Sequence, residues 1–221
     1  MASEKYSMSF TTGSLFHQES ITVAELFLKL QDWRAVREAV LADNLLQFKT
    51  VNTQKRVYRE ITSRLKTLCV SEALPMENRA LKLLVQGTVQ EQKQILWLAV
   101  CRRYRFIAEF ARDVLRERYL NFQRVIAHED FDIFFNHKAD WHDELDRIAN
   151  ATRVKARQIL FKMLKEADFL AFDNVINPTL LSARLIEVIA SQRKDDILFF
   201  PVSPVDVRLA RSRLTDRYVG A

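Results

Sequence analysis

Two segments of the chain concentrate lysine and arginine at spacings that suit an anionic partner. Residues 52–68 and 151–167 each carry a net charge of +4, whereas the whole chain carries +6, so the remainder is net negative. In the first segment Val57, Ile61 and Leu65 recur at helical spacing and define one apolar face. A basic face opposite an apolar face predicts a helix that contacts a polyanion such as nucleic acid.

The basic faces of these two predicted helices contain the residues that we expect to contact double-stranded DNA. Because a duplex carries about one negative charge per 1.7 Å of axis, a rigid cationic helix gains free energy by releasing counterions. Lysine and arginine outnumber the residues that read bases, so phosphate contacts with low sequence specificity are predicted. The expected DNA-binding residues are Lys55, Arg56, Arg59, Ser63, Lys66, Arg153, Lys155, Arg157, Gln158, Lys162 and Lys165.

Other interpretations of the same basic faces remain open. They could be solvated surfaces, because long basic side chains commonly cover the outside of helices. They could bind acidic surfaces of partner proteins in an assembly adaptor, or they could bind RNA. Two distant helices of similar pattern favour DNA. In the second helix Ala156, Leu160 and Leu164 define the apolar face, and Val154 and Phe161 fall outside it. Part of that helix is therefore predicted to pack on another element.

The elements that must position these faces are predicted to be mainly α-helical, because three Gly and four Pro in 221 residues leave few tight turns. We expect two helix-turn-helix or winged-helix units joined by a helical middle segment. A short β-wing is expected where apolar residues flank Asp173 and Asn174 in FLAFDNVI. The predicted boundaries are 1–19 for an N-terminal arm, 20–74 for a helix-turn-helix unit, 75–138 for a helical scaffold, and 139–221 for a winged-helix unit with a helical tail.

Capping patterns predict where several of these helices begin. Asp32 is expected to cap a helix that follows it, and Thr53 and Thr152 are expected to open the two basic helices. Residues 197–200 (ILFF) could add a strand. Capping-box spacing occurs at Thr22-x-x-Glu25, Thr88-x-x-Glu91 and Ser203-Pro204-x-Asp206.

Metal and catalytic chemistry find little support in the sequence. Residues 128–146 hold three histidines and seven acids, but not at the spacing of a metal-binding helix. Glu91 and Lys93 resemble half of a nuclease motif, yet the capping box explains the acid and no Pro-Asp precedes it. Cys69 and Cys101 lack metal-ligand spacing and are expected to be free thiols. We therefore expect no enzymatic activity, no cofactor, no metal and no small-molecule substrate.

The sequence predicts a cytoplasmic protein without a membrane segment. The N-terminus, MASEKYSMSFTTGS, lacks the basic start and apolar stretch of a signal peptide. The longest apolar run, Ile95–Cys101, is too short to span a bilayer.

Three stretches resemble the BrxA family, a small component of BREX bacteriophage-resistance systems. They are SFTTGSLF (9–16), DWRAVREAVLADNLLQFKT (32–50) and TQKRVYREITSRLKTL (53–68), and the resemblance extends over nearly the whole chain. It implies a non-enzymatic bacterial protein with helical domains, acting beside a DNA methyltransferase, ATPases and other BREX proteins. The family has also been likened to an RNA-binding antitermination factor and sometimes labelled a membrane protein. The resemblance supplies no catalytic motif, so the expected site residues rest on the helix faces alone.

Overall fold

The computed structural model describes residues 5–69 and 78–208, and over these residues the protein is mainly α-helical. A π-helical turn, Ala111–Arg116, joins the α-helices Arg105–Phe110 and Glu117–Leu120 in one continuous helical segment, and short 3-10 helices cover Ser9–Thr12, Lys66–Leu68 and Lys194–Phe199. The α-helices of the described chain are α1 (His17–Leu30), α2 (Trp33–Ala42), α3 (Val51–Leu65), α4 (Arg79–Gln86), α5 (Val89–Arg103), α6 (Arg105–Phe110), α7 (Glu117–Leu120), α8 (His128–Ala139), α9 (Asp143–Asp146), α10 (Asn150–Glu166) and α11 (Ala183–Gln192).

These helices belong to two compact units. The N-terminal unit spans Leu15–Arg103, and the C-terminal unit combines Met1–Ser14 with Tyr104–Ala221, each known through its described residues. The chain thus passes between the two units after residues 14 and 103, whereas the division at residues 19, 74 and 138 stays a prediction. The segment expected to form an N-terminal arm contributes its first part to the C-terminal unit.

The N-terminal unit packs α3 against α1, α2 and α5. Val57, Ile61 and Leu65 are buried, so the predicted apolar face of this helix is confirmed. Two polar side chains fix α3 to α2: Gln54 Nε2 donates to the carbonyl of Val40 at 2.8 Å, and Tyr58 Oη donates to the carbonyl of Trp33 at 2.9 Å. Since these two bonds use uncharged partners, they leave Lys55, Arg56 and Arg59 exposed, whereas Arg64 of the same helix is buried.

The predicted helix starts of the N-terminal unit are partly correct. Asp32 caps α2 by accepting from Arg34 N at 2.8 Å, and the Thr88–Glu91 capping box forms, with Thr88 N donating to Glu91 Oε2 at 2.8 Å. The capping box predicted at Thr22 is wrong because α1 already begins at His17. Thr50 rather than Thr53 caps α3, accepting from Thr53 N at 3.2 Å.

An aromatic cluster forms the core of the C-terminal unit. The Phe106 ring lies 5.7 Å from Phe131, 5.2 Å from Phe134 and 5.8 Å from Tyr6. Phe10 is fully buried and stacks on the Phe106 ring at 6.4 Å. Burial of two N-terminal aromatic residues in this core explains why the start of the chain belongs to the C-terminal unit.

The region predicted as a β-wing forms a tight turn rather than a two-stranded hairpin. Asn174 N donates to the carbonyl of Ala171 at 3.0 Å, and single antiparallel bridges pair Leu170 with Ile176 and Val125 with Val175. Within residues 5–69 and 78–208 these bridges are the only β-structure. A winged helix is therefore not confirmed.

The end of the described chain corrects one expectation and confirms another. Residues 197–199 of the segment expected to form a strand lie instead in the 3-10 helix Lys194–Phe199, and the buried Phe200 ring lies 5.9 Å from the Phe169 ring. The Ser203–Asp206 capping box forms, with Ser203 Oγ donating to Asp206 Oδ2 at 2.7 Å, and residues 204–208 are helical. The rest of the predicted helical tail lies outside the described residues.

Candidate nucleic-acid interface

The face of α3 opposite its buried side presents the basic residues that the sequence predicts. Lys55, Arg56, Arg59 and Lys66 are exposed, and Ser63 is half-buried with its hydroxyl donating to the carbonyl of Glu60 at 2.8 Å. At 1.5 Å of rise per residue, the face from Lys55 to Lys66 extends about 16 Å. That length matches roughly nine phosphate charges of a duplex.

The electrostatic setting of this face is strongly cationic. Glu60 is the only acid within α3, and Arg64 Nε donates to its Oε1 at 2.8 Å from a buried position. No carboxylate of the described chain lies within ion-pairing distance of Lys55, Arg56 or Arg59. The one acid on this helix is thus neutralised by a residue that is not on the exposed face.

The basic residues near the start of α10 are used differently. Arg153 Nη2 lies 3.1 Å from Asp132 Oδ1, its Nη1 donates to Asn136 Oδ1 at 2.7 Å, and its guanidinium lies 4.7 Å from the Phe135 ring. Arg157 pairs with the same Asp132 carboxylate through Oδ2. The structure therefore places two expected DNA-binding arginines in contacts that tie α10 to α8.

The remaining candidates on α10 form a narrower exposed stripe. Lys155, Gln158 and Lys162 are exposed. Lys162 Nζ lies 3.7 Å from Glu166 Oε1. Lys165 is half-buried, and its Nζ donates to the carbonyl of Phe172 at 2.9 Å. This surface thus offers fewer uncommitted cations than the α3 face.

The packing of α10 also accounts for its irregular apolar pattern. Phe161 is buried, and its ring contacts the imidazole of His128 at 4.7 Å in an edge-on arrangement. Because His128 is the first residue of α8, this contact packs α10 against α8. Val154 is half-buried. The prediction that part of this helix packs on another element is confirmed for Phe161.

Sequence reasoning missed a buried polar cluster in the C-terminal unit. The carboxylate of Glu109 accepts from Tyr6 Oη at 2.6 Å and from Arg105 Nε at 2.6 Å, and Lys138 Nζ lies 2.5 Å away. Burial alone would raise the pKa of Glu109, but hydrogen bonds from Lys138, Tyr6 and Arg105 outweigh it and hold the pKa at about 2. Burial and the Glu109 carboxylate raise the pKa of Tyr6. Only the spacing from Arg105 to Glu109 was visible in sequence, because the other partners lie far along the chain.

The acids and thiols that were considered as metal ligands are not grouped as a metal site in the described residues. Asp130 accepts from Ala127 N at 2.7 Å at the start of α8 and pairs with Arg118. Neither Cys69 nor Cys101 forms a disulfide. Across the described parts of the chain, no group of three His, Cys, Asp or Glu side chains is arranged to hold a metal ion. Over the same residues no helix combines the length and apolarity needed to cross a membrane.

Comparison with solved structures shows that another protein shares this fold. The chain is similar in fold to an uncharacterized protein from Magnetospirillum magneticum, which is known from a crystal structure. The alignment gives a TM-score of 0.73, covers 89% of this chain and 97% of that chain, and has 18% sequence identity.

The family follows from sequence comparison. The model of the BrxA family matches residues 4–193, and the chain therefore belongs to the BrxA family. A similar protein is the BREX protein BrxA of Escherichia coli O9:H4 (strain HS), 27% identical over 71% of this chain and 70% of that protein. Another is the BREX protein BrxA of Bacillus cereus (strain H3081.97), 23% identical over 61% of this chain and 64% of that protein.

Proposed function

We propose that this chain is a double-stranded DNA-binding component of a BREX phage-defence system. Two proteins similar to this chain are named as BREX proteins, which supports its place in such a system. The observation that carries DNA binding is the exposed α3 face, on which Lys55, Arg56 and Arg59 have no described carboxylate beside them. The proposed role is binding rather than catalysis.

Phosphate contacts dominate the proposed interaction. Three cations on α3 and Lys66, which directly follows this helix, would release about four counterions, so the logarithm of affinity would fall with the logarithm of salt at a slope near −3 to −4. Affinity would then drop on the order of 100-fold between 50 and 200 mM salt. Because α3 offers lysine and arginine rather than asparagine and glutamine, sequence preference is expected to be low.

The α10 stripe is assigned a secondary part in this interaction. Lys155, Gln158 and Lys162 are available to a ligand, whereas Arg153 and Arg157 already bind Asp132. Moving either arginine to a phosphate would take one of two cationic partners from the partly buried Asp132 carboxylate, which offsets the gain. The α3 face is therefore the principal contact surface in this proposal.

Salt-dependent duplex binding tests the proposal. Fluorescence anisotropy with a short labelled duplex would compare the wild type with Arg56→Gln/Arg59→Gln at several KCl concentrations. The variant should bind about 10- to 100-fold more weakly at 100 mM salt and reduce the slope by about 2. The matched control, Arg79→Gln/Lys82→Gln, removes the same charge from exposed positions on α4 of the same unit.

The outcome separates DNA binding from the other interpretations. A salt-independent affinity, or equal losses in both double variants with unchanged circular dichroism, would refute the α3 interface. An excess of unlabelled RNA should compete less well than duplex DNA, and the reverse order would indicate an RNA-binding protein.

A protein-assembly role is the second candidate, favoured by apolar surface in the C-terminal unit. Ile133 on α8 is 67% exposed, and Trp141, just beyond that helix, is 80% exposed. Large apolar side chains that stay in water often mark protein contacts. Co-purification of identified BREX proteins with the tagged chain, before and after nuclease treatment, tests this role. Retention after nuclease treatment, lost in Ile133→Ser/Trp141→Ser, would support the adaptor.

A further inference from the structure

The turn after α10 presents a phenylalanine almost entirely to solvent. Phe172 is 96% exposed, although burying such a side chain is favourable by about 1.5–3 kcal/mol. It occupies the second position of the turn closed by the hydrogen bond from Asn174 N to the carbonyl of Ala171. An aromatic side chain at the tip of a turn can contact a binding partner without hindrance from the rest of the fold.

The base of this turn is fixed in place. Ala171 N donates to the carbonyl of Val175 at 2.8 Å, and Leu170 pairs with Ile176. Lys165 Nζ bonds the carbonyl of Phe172 and lies 5.3 Å from the centre of its ring. The aromatic ring is therefore held at the end of α10, next to a cation.

The charges around the turn are nearly balanced. Lys162 and Lys165 lie at the end of α10, and Arg124 is exposed on the segment whose carbonyl accepts from Ile176 N. The nearby acids are Glu166, Asp168 and Asp173. Phosphate attraction alone would therefore be weak at this place, so any contact with DNA has to draw on the aromatic ring.

We propose that Phe172 contacts nucleobases, stacking on a base or wedging into an opened base step. This inference rests on the proposed DNA-binding function and adds a preference for DNA whose stacking is already interrupted. Wedging between intact base pairs costs a few kcal/mol per step, and a gap or mismatch reduces that cost. Lys165 would lie beside the backbone phosphates that flank the contacted base.

The test compares DNA forms rather than overall affinity alone. Wild type, Phe172→Ala and Phe172→Trp would be titrated with an intact duplex and with the same duplex carrying a two-nucleotide gap. A 2-aminopurine base beside the gap reports unstacking through its fluorescence. Trp141→Ala provides the matched control, because it removes another exposed aromatic side chain from the same unit.

Stacking on one base is worth about 5- to 100-fold in affinity when the aromatic residue is replaced by alanine. We therefore expect the wild type to prefer gapped DNA by about 10-fold, with a change in 2-aminopurine fluorescence. Phe172→Ala should lose both effects while changing intact-duplex affinity less than twofold. Phe172→Trp and the Trp141→Ala control should keep both.

Two results would overturn the inference while leaving the proposed function standing. One is an unchanged preference for gapped DNA in Phe172→Ala. The other is unchanged DNA binding combined with loss of an identified, nuclease-resistant BREX protein partner, which would assign the ring to a protein contact. Failure of the wild type to bind either DNA form would instead refute the proposed function itself.

Discussion

The helices α3 and α10 look alike in sequence but differ in how many charges they leave available. Each lies in a segment with a net charge of +4. On α3 the single acid, Glu60, is held by the buried Arg64. On α10 the cations are shared with Asp132 from α8 and with Glu166 on the same helix. The charge of a helix therefore does not define its binding surface until the acids of its neighbours are known.

The difference originates in what each helix packs against. α3 is fixed to α2 through Gln54 and Tyr58, which donate to backbone carbonyls and leave Lys55, Arg56 and Arg59 exposed. α10 contacts α8, which presents the carboxylate of Asp132 together with Asn136. Arginine next to such a surface forms the stronger, charge-assisted hydrogen bonds. In α10, Arg153 and Arg157 thus stabilise the packing of this helix against α8.

Charge reversal on each helix measures this difference most directly. We expect Arg56→Glu/Arg59→Glu to weaken duplex binding about 100-fold or more at 100 mM salt, because two phosphate contacts become repulsive. Lys155→Glu/Lys162→Glu should weaken it less than about 10-fold, since fewer phosphates depend on that stripe. Anisotropy titrations at fixed salt provide the measurement.

The two variants are controls for each other because both change the net charge by the same amount. Equal losses would show that total charge, rather than the α3 face, governs binding. A larger loss in the α10 pair would reverse the assignment of the principal surface. Circular dichroism and thermal unfolding should remain close to wild type in both, because all four positions are exposed.

The sequence predicted the local features on which these experiments depend. Helical spacing identified the buried side of α3, and short-range capping patterns located Asp32, the Thr88–Glu91 pair and the Ser203–Asp206 pair. Such features depend on residues within one or two turns of each other, so they are visible in a single sequence.

Features that depend on distant residues were not predictable in the same way. Tyr6 meets Glu109 across 103 positions, and Arg153 meets Asp132 across 21. The aromatic character of Tyr6 and Phe10 gave no indication of which unit would bury them. The predicted β-wing illustrates the opposite error, since a turn-forming Asp-Asn pair was present but only isolated bridges formed beside it.

Substituting Glu109 measures how much its buried ion pairs contribute to the stability of the C-terminal unit. Glu109→Gln should lower the free energy of unfolding by about 2–3 kcal/mol at pH 7, because Lys138 and Arg105 lose their shared carboxylate. Urea titrations monitored by circular dichroism provide this value. Glu117→Gln, at a position with a 54% exposed side chain in the same helical segment, should change it by less than about 0.5 kcal/mol.

The lowered pKa of Glu109 predicts how the free energy of unfolding changes with pH. The pKa of Glu109 is lowered from 4.5 to about 2 on folding, so the unfolded chain binds its proton first as the pH falls. The stabilisation is complete above about pH 5 and is lost as the pH falls towards 2. In Glu109→Gln the loss of stability over this range should be smaller than in the wild type. An identical acid profile would show that this carboxylate is not held in its charged form by the cluster.

Releasing the arginines of α10 should make the two helices more alike. Asp132→Asn removes the charge that holds Arg153 and Arg157 and should raise duplex affinity about 3- to 5-fold at 50 mM salt. The salt slope should steepen by about 1, at a cost of about 1–2 kcal/mol in stability. The control Asp143→Asn removes an equal charge from an exposed pair with Arg147 and frees no α10 residue. Equal gains in both variants would reflect net charge alone, whereas no gain in Asp132→Asn would mean that the freed side of α10 does not face the duplex.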